Sequence, residues 1–205
     1  MGCASPGVSE RVAERIADLE LSPRLAGELA PLFAVLAPLN AEVAAADRRI
    51  AQLTVADPIV ALLTSAPGIG PITASALVAT IDDVTRFRSA HEFEAYLGVV
   101  PGERSSGEKR RVGRITKAGN ARARWLLVEA AWRIARSRSE ETVALRDWAA
   151  GIATRRGKRV AVVALARRLA GILYAMWRDG AAFDGRKVRA PRPRPVPVAQ
   201  RGTDA

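Results

Sequence analysis

Hydrophobic residues recur at alternating steps of four and three between positions 25 and 53. This heptad spacing is typical of a coiled coil or a long helical hairpin. Pro31 and Pro38 fall within it, and an interior proline removes a helix hydrogen bond. We therefore expect a helix from about Leu39 to Val55, with a break or kink before it. The residues of this heptad seam are Leu25, Leu29, Leu32, Leu36, Leu39, Val43, Ala46, Ile50 and Leu53.

Two interpretations of the heptad seam stay open. It is either the apolar side of an amphipathic helix that packs on its own domain, or a coiled coil that joins two copies of the chain.

A second pattern, from Ile59 to Ile81, places two apolar helical stretches on either side of a glycine turn. Glycine permits positive φ and a close approach of backbone. The arrangement is typical of the helix-hairpin-helix motif, whose turn amides and second-helix N-terminus contact a DNA phosphate. A purely structural helix pair is the alternative. The turn residues that we assign to DNA binding are Gly68, Ile69 and Gly70.

Two carboxylates, Asp82 and Asp83, follow the second of these helices. Paired carboxylates can bind a metal, but their place after a helix favours solvated turn residues or local caps. A short helix should follow, starting with a capping box at Ser89 and ending near Gly98. His91 lies in its first turn, and we interpret it as an exposed or hydrogen-bonded structural histidine.

The segment 97–120 is basic, punctuated by glycine and too polar to form a core, so it predicts a loop or a short hairpin. A helix should open after Gly119 and Asn120, followed by helices near 140–150 and 159–178. The last is rich in Ala, Val and Leu, and we expect it at the centre of the core.

These elements predict an all-α fold with three parts. Residues 1–56 form a helical stalk, and residues 57–182 form a compact DNA-binding domain with the helix-hairpin-helix element and the basic loop. Residues 183–205 alternate Arg and Pro and are expected to form a disordered basic tail.

The charge is divided unevenly along the chain. Residues 1–100 hold 7 Lys and Arg against 12 Asp and Glu, whereas residues 101–160 hold 16 against 6 and residues 161–205 hold 9 against 3. Arginine dominates the basic part, and its planar guanidinium suits phosphate recognition. Nucleic acid is therefore the expected partner, in preference to an anionic membrane.

Composition also excludes several classes of site. A single cysteine, Cys3, and a single histidine leave no disulfide framework, no Cys/His zinc site and no histidine-based triad. The most apolar stretch, 160–177, is interrupted by Arg167 and Arg168, which argues against a membrane span. Residues 1–20 lack a basic region followed by an apolar stretch, so we expect no secretory signal and a cytoplasmic protein.

Several sequence blocks occur in a fixed order along the chain. They are Pro67-Gly-Ile-Gly-Pro71, Asp82 and Asp83 before Arg86-Phe87, Tyr96-Leu-Gly-Val-Val-Pro101, Ser105-Ser-Gly107, Arg114-Ile-Thr-Lys-Ala-Gly-Asn120, Leu126-Leu-Val-Glu-Ala-Ala-Trp132 and the run Gly157 to Gly180. Together they resemble the C-terminal domain of the insertion-sequence transposases of the one-ten type, the bridge-RNA-guided serine recombinases. The resemblance covers about residues 40 to 180.

The resemblance implies that this domain supplies a serine nucleophile, which falls on Ser106, with Ser105 as the rival. In the family it works beside an N-terminal ribonuclease-H-like domain that has four acidic residues and a divalent metal. Residues 1–38 show no strand pattern with a buried Asp, so we expect that domain to be missing and the chain to be inactive alone. Magnesium is expected only together with it, and we assign no metal ligand in this chain.

The implied partners are DNA, a guide (bridge) RNA, and a second copy or a full-length transposase, and the implied location is the nucleoid of a bacterial cytoplasm. Cations around the serines, and those where the next helix begins, would hold the scissile phosphate and stabilise transition-state charge. Together with Asn120, the expected ligands are Arg104, Lys109, Arg110, Arg111, Arg114, Lys117, Arg122 and Arg124.

The expected function is therefore the strand-cleaving and joining half of a DNA transposase. The alternatives are a non-catalytic DNA-binding remnant or regulator of a full-length transposase, and a helix-hairpin-helix repair or junction-binding protein.

Overall fold

The computed structural model describes residues 16, 18–19, 21–106 and 109–188, with backbone alone for 103–106, 109–112 and 187. The chain divides into two compact units, residues 1–56 and 57–205. The predicted basic tail lies outside the described residues from position 189 onward.

The first unit contains one long helix, α1, which spans Pro23–Thr54. Its N-cap is Ser22, whose hydroxyl accepts a hydrogen bond from the backbone N–H of Leu25. This bond satisfies one of the amides that a helix N-terminus leaves without an intrahelical partner.

Helix α1 continues through Pro31 and Pro38, so the expected break before Leu39 is wrong, while the expected kink stays a prediction. Each proline removes one backbone hydrogen bond, but the bonds of the neighbouring turns remain. Because the prolines are seven residues apart, they share one heptad position, which lies outside the heptad seam. Both are exposed, so neither ring has to fit into a packed interior.

No residue of α1 is buried. The exposed fraction is 66% for Leu32 and 72% for Leu53, two residues of the heptad seam. Apolar surface left in water forgoes about 25 cal/mol per Å² of stabilisation. A partner that covers the seam would therefore stabilise the protein. The coiled coil between two copies stays a prediction.

The second unit is helical except for one hairpin, which confirms the all-α fold class. Its helices are α2 (Pro58–Thr64), α3 (Pro71–Ile81), α4 (Ala90–Tyr96), α5 (Ala121–Arg136), α6 (Val143–Arg156) and α7 (Lys158–Asp179). Three 3₁₀ turns, Val84–Arg86, Glu140–Thr142 and Gly185–Lys187, connect or follow them. The strands β1 (Pro101–Ser106) and β2 (Lys109–Ile115) form the hairpin within the basic segment.

Helix α7 lies at the centre of the core and packs against α2, α4, α5 and α6. Its buried residues repeat every three or four positions, as one wide helix face requires. They are Ala161, Val162, Leu165, Ala166, Leu169, Ala170, Leu173, Tyr174, Met176 and Trp177. The expected central position of this helix is confirmed.

Two helices, α1 and α7, are long and apolar enough to cross a membrane by length and composition. Arg167 and Arg168 interrupt the apolar stretch of α7, but the helix is still apolar enough by this criterion. In α7, 56% of the apolar stretch is buried inside the protein, and this burial accounts for its composition. In α1 the apolar residues include the heptad seam and also Phe33 and Val35 outside it, and none of them is buried.

The carboxylates after α3 are local caps, as expected. Asp83 accepts hydrogen bonds from the hydroxyl of Thr85 at 2.7 Å and from its backbone N–H at 2.8 Å. The hydroxyl bond in particular lowers the pKa of Asp83 below its ordinary value. Asp82 ends α3 with a φ of 63°. Within the described residues, no group of three or more His, Cys, Asp or Glu side chains could hold a metal ion.

The heptad seam of α1 generates a first prediction. Replacing Leu39 and Ile50 together by Lys should convert a dimer into a folded monomer, since charges at seam positions cannot be buried cheaply. Light scattering measures the mass and circular dichroism the fold. The matched control puts Lys at Ala41 and Ala45, exposed positions outside the seam, and should leave a dimer. A wild-type chain that is already monomeric would contradict the intermolecular coil.

Candidate nucleic-acid interface

The β-hairpin carries the serines and five of the nine phosphate ligands predicted in the basic segment and at the start of α5. Its Cα register pairs Ser106 with Lys109 and Ser105 with Arg110, and Arg104 lies opposite Arg111. Both serines therefore lie in the last backbone pairs before the turn, each opposite a basic residue. Gly107, the third residue of the serine motif, lies outside the described residues.

The base of the hairpin is fixed by backbone hydrogen bonds to the segment that precedes it. The N–H of Thr116 donates to the carbonyl of Val100 at 2.9 Å, and the N–H of Lys117 donates to the carbonyl of Gly98 at 3.2 Å. Val99 and Val100 are buried. The entry and exit of the hairpin are thus joined to each other and to the core.

Two glycines make this close approach possible. Gly98 and Gly119 both have positive φ, 68° and 105°. A Cβ atom on Gly98 would collide with the carbonyl oxygen of Ala118, and one on Gly119 would collide with the carbonyl oxygen of Tyr96. We call the meeting of residues 96–98 with residues 117–119 the backbone crossing. Only glycine satisfies both the conformation and the contact.

Arg124 holds the backbone crossing from the side of α5. Its Nη1 donates to the carbonyl of Lys117 at 3.1 Å and lies 3.4 Å from the carbonyl of Leu97, which it also reaches. The side chain is half-buried. We predicted a phosphate ligand here, and the geometry instead gives this guanidinium a positioning contact. Its role toward DNA stays a prediction.

Asn120 is the N-cap of α5. Its Oδ1 accepts hydrogen bonds from the N–H groups of Arg122 at 2.9 Å and Ala123 at 3.0 Å. The cap uses the amide oxygen, and a phosphate, which accepts hydrogen bonds, would be contacted by the Nδ2 group instead. Sequence reasoning placed Asn120 among the DNA ligands, and the structure gives it this capping contact.

Three other predicted ligands, Arg114, Lys117 and Arg122, are exposed. Lys117 has a φ of 56°, a conformation that costs free energy for a residue with a Cβ, and its N–H is held in the backbone crossing. The first turn of α5 contains no acidic residue. Residues 109–125 hold seven cations and no Asp or Glu. This stretch presents an uncompensated positive charge beside a helix N-terminus.

In the glycine turn between α2 and α3, two of the three residues that we assigned to DNA binding, Gly68 and Ile69, face the protein. A Cβ on Gly68 would lie 2.8 Å from the carbonyl oxygen of Ala130. Ile69 is buried, and its N–H donates to the carbonyl of Ala66 at 3.2 Å. Gly70 is the N-cap of α3, where no side chain caps the helix.

The turn and the hairpin lie against different ends of α5. Ala121 begins the helix beside the hairpin, and the turn contacts it at Ala130. Nine residues at 1.5 Å each separate these points by about 14 Å. The structure therefore does not bring the two predicted DNA-binding elements into one site, and instead places both on one helix.

Residues 60–145 match the family model described as Transposase IS116/IS110/IS902 family. This segment is a transposase domain of that family. The matched range begins in α2, ends at the start of α6, and contains the glycine turn, the hairpin and all of α5.

Relatives of the transposase domain carry matching names. A protein described as "Probable family 20 transposase" from Pseudomonas aeruginosa is 38% identical over 141 residues, which cover 69% of this chain and 42% of the relative. "Transposase for insertion sequence element IS1328" from Yersinia enterocolitica is 32% identical over 177 residues, covering 86% and 53%. "Transposase for insertion sequence element IS1111A" from Coxiella burnetii is 30% identical over 156 residues, covering 76% and 43%. The chain spans about half the length of these curated relatives.

Sequence reasoning missed the backbone crossing of the transposase domain. The signal available was the pair of glycines, Gly98 and Gly119, on either side of the basic segment. Their spacing does not show that they meet, since the contact depends on the hairpin between them.

The backbone crossing generates a second prediction. Gly98→Ala and Gly119→Ala should each destabilise the transposase domain by about 2 kcal/mol or more, because each added Cβ collides with a carbonyl at a left-handed φ. Urea unfolding measures the loss. Gly151→Ala is the matched control, since Gly151 lies inside α6 with open space around it. Alanine is the better helix former, so this control should gain about 0.5 to 1 kcal/mol. Equal stability of all three variants would contradict the crossing.

Proposed function

We propose that this chain is the DNA-binding and strand-joining part of an insertion-sequence transposase that acts on DNA in the bacterial cytoplasm. The observation that carries the proposal is the basic hairpin of a transposase domain. The second strand of the hairpin and the chain that follows it into α5 hold seven cations and no acidic residue over residues 109–125, while Glu103 and Glu108 precede this stretch. The backbone crossing joins the base of the hairpin to the segment that leads into α5.

This placement suits a phosphate for electrostatic reasons. Arg114, Lys117 and Arg122 have exposed side chains and lie in the chain just before or within the first turn of α5, a helix end whose amides carry partial positive charge. Such contacts bind the DNA backbone and fix its register without reading sequence. A guide RNA has the same phosphates, so the basic hairpin is compatible with an RNA partner as well.

Ser106 is the proposed nucleophile, and Ser105 is the rival. The hydroxyl oxygen attacks the phosphorus of a DNA phosphodiester, the bond to one deoxyribose oxygen breaks, and that oxygen takes the proton which the serine loses. The product is a covalent phosphoserine, and the reverse attack by a strand end rejoins DNA. Cations beside the phosphate stabilise the charge of the transition state.

The divalent metal that the sequence resemblance implies does not fit the residues at hand. The described part of the chain offers no group of three His, Cys, Asp or Glu side chains for it. No step of the proposal is therefore routed through a metal. Because the matched part of the chain covers only about half of each relative, a catalytic assay should include a full-length relative as partner.

Phosphate binding by the hairpin gives a third prediction. Replacing Arg110, Arg111 and Arg114 by Ala should weaken binding to duplexes of any sequence. It should also flatten the dependence of log K on log salt, by about one unit for each phosphate that the hairpin no longer neutralises.

Fluorescence anisotropy at several salt concentrations measures this slope. The matched control removes the same charge from α1, at the exposed residues Arg24, Arg48 and Arg49. An unchanged slope in the hairpin triple variant would remove the hairpin from the interface.

The serine chemistry gives a fourth prediction. Ser106→Ala should abolish the covalent protein–DNA adduct and strand transfer in the complemented assay, since it removes the attacking oxygen. The loss of one hydroxyl should change stability by no more than about 0.5 kcal/mol and leave DNA affinity nearly intact. Denaturing gels of labelled supercoiled DNA detect the adduct.

Ser105→Ala is the matched control and should retain the adduct. If the adduct persists in Ser106→Ala and disappears in Ser105→Ala, the nucleophile is Ser105. If neither change affects recombination, the phosphoserine mechanism fails and a non-catalytic DNA-binding role becomes the better interpretation.

A further inference from the structure

Trp125 stands apart among the four tryptophans, all of which lie in the described residues. Its exposed fraction is 52%, whereas Trp132 and Trp148 are half-buried and Trp177 is buried. Single exposed apolar residues are ordinary on protein surfaces. Trp125 differs because this large flat ring has a cation beside it, Arg122, and follows a strongly basic stretch of the chain.

The chain before Trp125 is basic, while Glu129 lies one turn after it on the same helix. The ring lies just over one turn into α5, and no acidic residue occurs between position 109 and Glu129. Arg114, Lys117 and Arg122 are exposed nearby in the chain. An apolar partner without negative charge gains nothing from these cations, so the surface suits a ligand that is both flat and anionic.

Arg122 fixes the orientation of the ring. Its guanidinium carbon lies 5.0 Å from the centroid of Trp125, which is the distance of a cation–π contact. The two side chains are three residues apart and therefore adjacent on the helix surface. Because the cation occupies one side of an exposed ring, the ring is pre-oriented while more than half of the residue stays accessible.

We propose that Trp125 stacks an unpaired base of the DNA strand whose phosphates lie at the basic hairpin. Aromatic rings on cationic surfaces bind single-stranded nucleic acid in this way, with stacking for the base and cations for the backbone. The occupant is assigned to DNA because Trp125 follows the hairpin that carries the proposed nucleophile. This inference rests on the proposed function, since it requires DNA at the hairpin.

The test compares two DNA duplexes that carry the same charge. One has a bulge of three unpaired nucleotides, and the other has three abasic sites in the same bulge. Wild-type protein should bind the first about 5- to 100-fold more tightly, as stacking contributes to affinity. Trp125→Ala should remove this preference and leave the salt slope unchanged, because the cations that bind phosphate are all retained. Trp125→Tyr should retain most of it.

The control variant is Val160→Ala, which shortens another exposed apolar side chain, 47% exposed, on α7 and should behave as wild type. If Trp125→Ala keeps the preference for the bulge with bases, Trp125 does not stack a base. A fully paired duplex of the same sequence is measured as well. If Trp125→Ala loses as much affinity for this duplex as for the bulged one, the proposal is also overturned.

The same bulges made of RNA form the second arm. A preference that depends on Trp125 in RNA but not in DNA would overturn the assignment to DNA. Wild-type protein that binds none of these duplexes refutes the proposed function itself. Normal duplex binding with a normal salt slope, but without dependence on Trp125, refutes only the stacking.

Discussion

The backbone crossing is the constraint on which the basic hairpin depends. A strongly cationic hairpin has little apolar surface with which to anchor itself, so its position must come from its base. There the carbonyl groups of Gly98 and Val100 accept the N–H groups of Lys117 and Thr116, and Arg124 donates to carbonyls on both segments. These bonds satisfy backbone groups at the edge of the core while the charged part of the hairpin projects away from it.

The segment before the crossing is held on α7 by polar contacts that are largely buried. Nε of Arg167 donates to Oε2 of Glu94 on α4 at 2.6 Å, and Glu94 is only 9% exposed. A buried carboxylate is tolerable when a cation and a hydrogen bond compensate its desolvation. The hydroxyl of Tyr174 donates to the carbonyl of Phe87 at 2.9 Å. The central helix therefore sets the position of α4, and α4 sets the position of the crossing.

Local signals in the sequence predicted the local features of this fold. The capping box at Ser89, the cap at Asp83 and the apolar face of α7 follow from short-range rules, and the structure has all three. The expectation that proline breaks a helix failed in α1, because the hydrogen bonds of the turns on either side remain when one bond is lost. The crossing and the exposure of Trp125 were beyond such rules. The crossing joins residues about twenty positions apart, and the exposure of Trp125 depends on how α5 is rotated against the core.

Helix α5 carries both predicted DNA-binding elements, and its geometry limits how they can share one ligand. Its buried face, which includes Leu127 and Ile134, is fixed in the core, so the two ends cannot move independently. The glycine turn contacts Ala130, about 14 Å along the axis from Ala121. Phosphates of one strand rise about 3.4 Å per step in B-DNA, so this separation corresponds to about four steps. Of the three predicted turn residues only Gly70, the N-cap of α3, is left to approach a ligand, so under the proposed function a backbone contact there would lie beyond the phosphate that reacts at the hairpin. The rigid helix would then fix the distance along the DNA between the contact that holds the duplex and the phosphate that is cleaved.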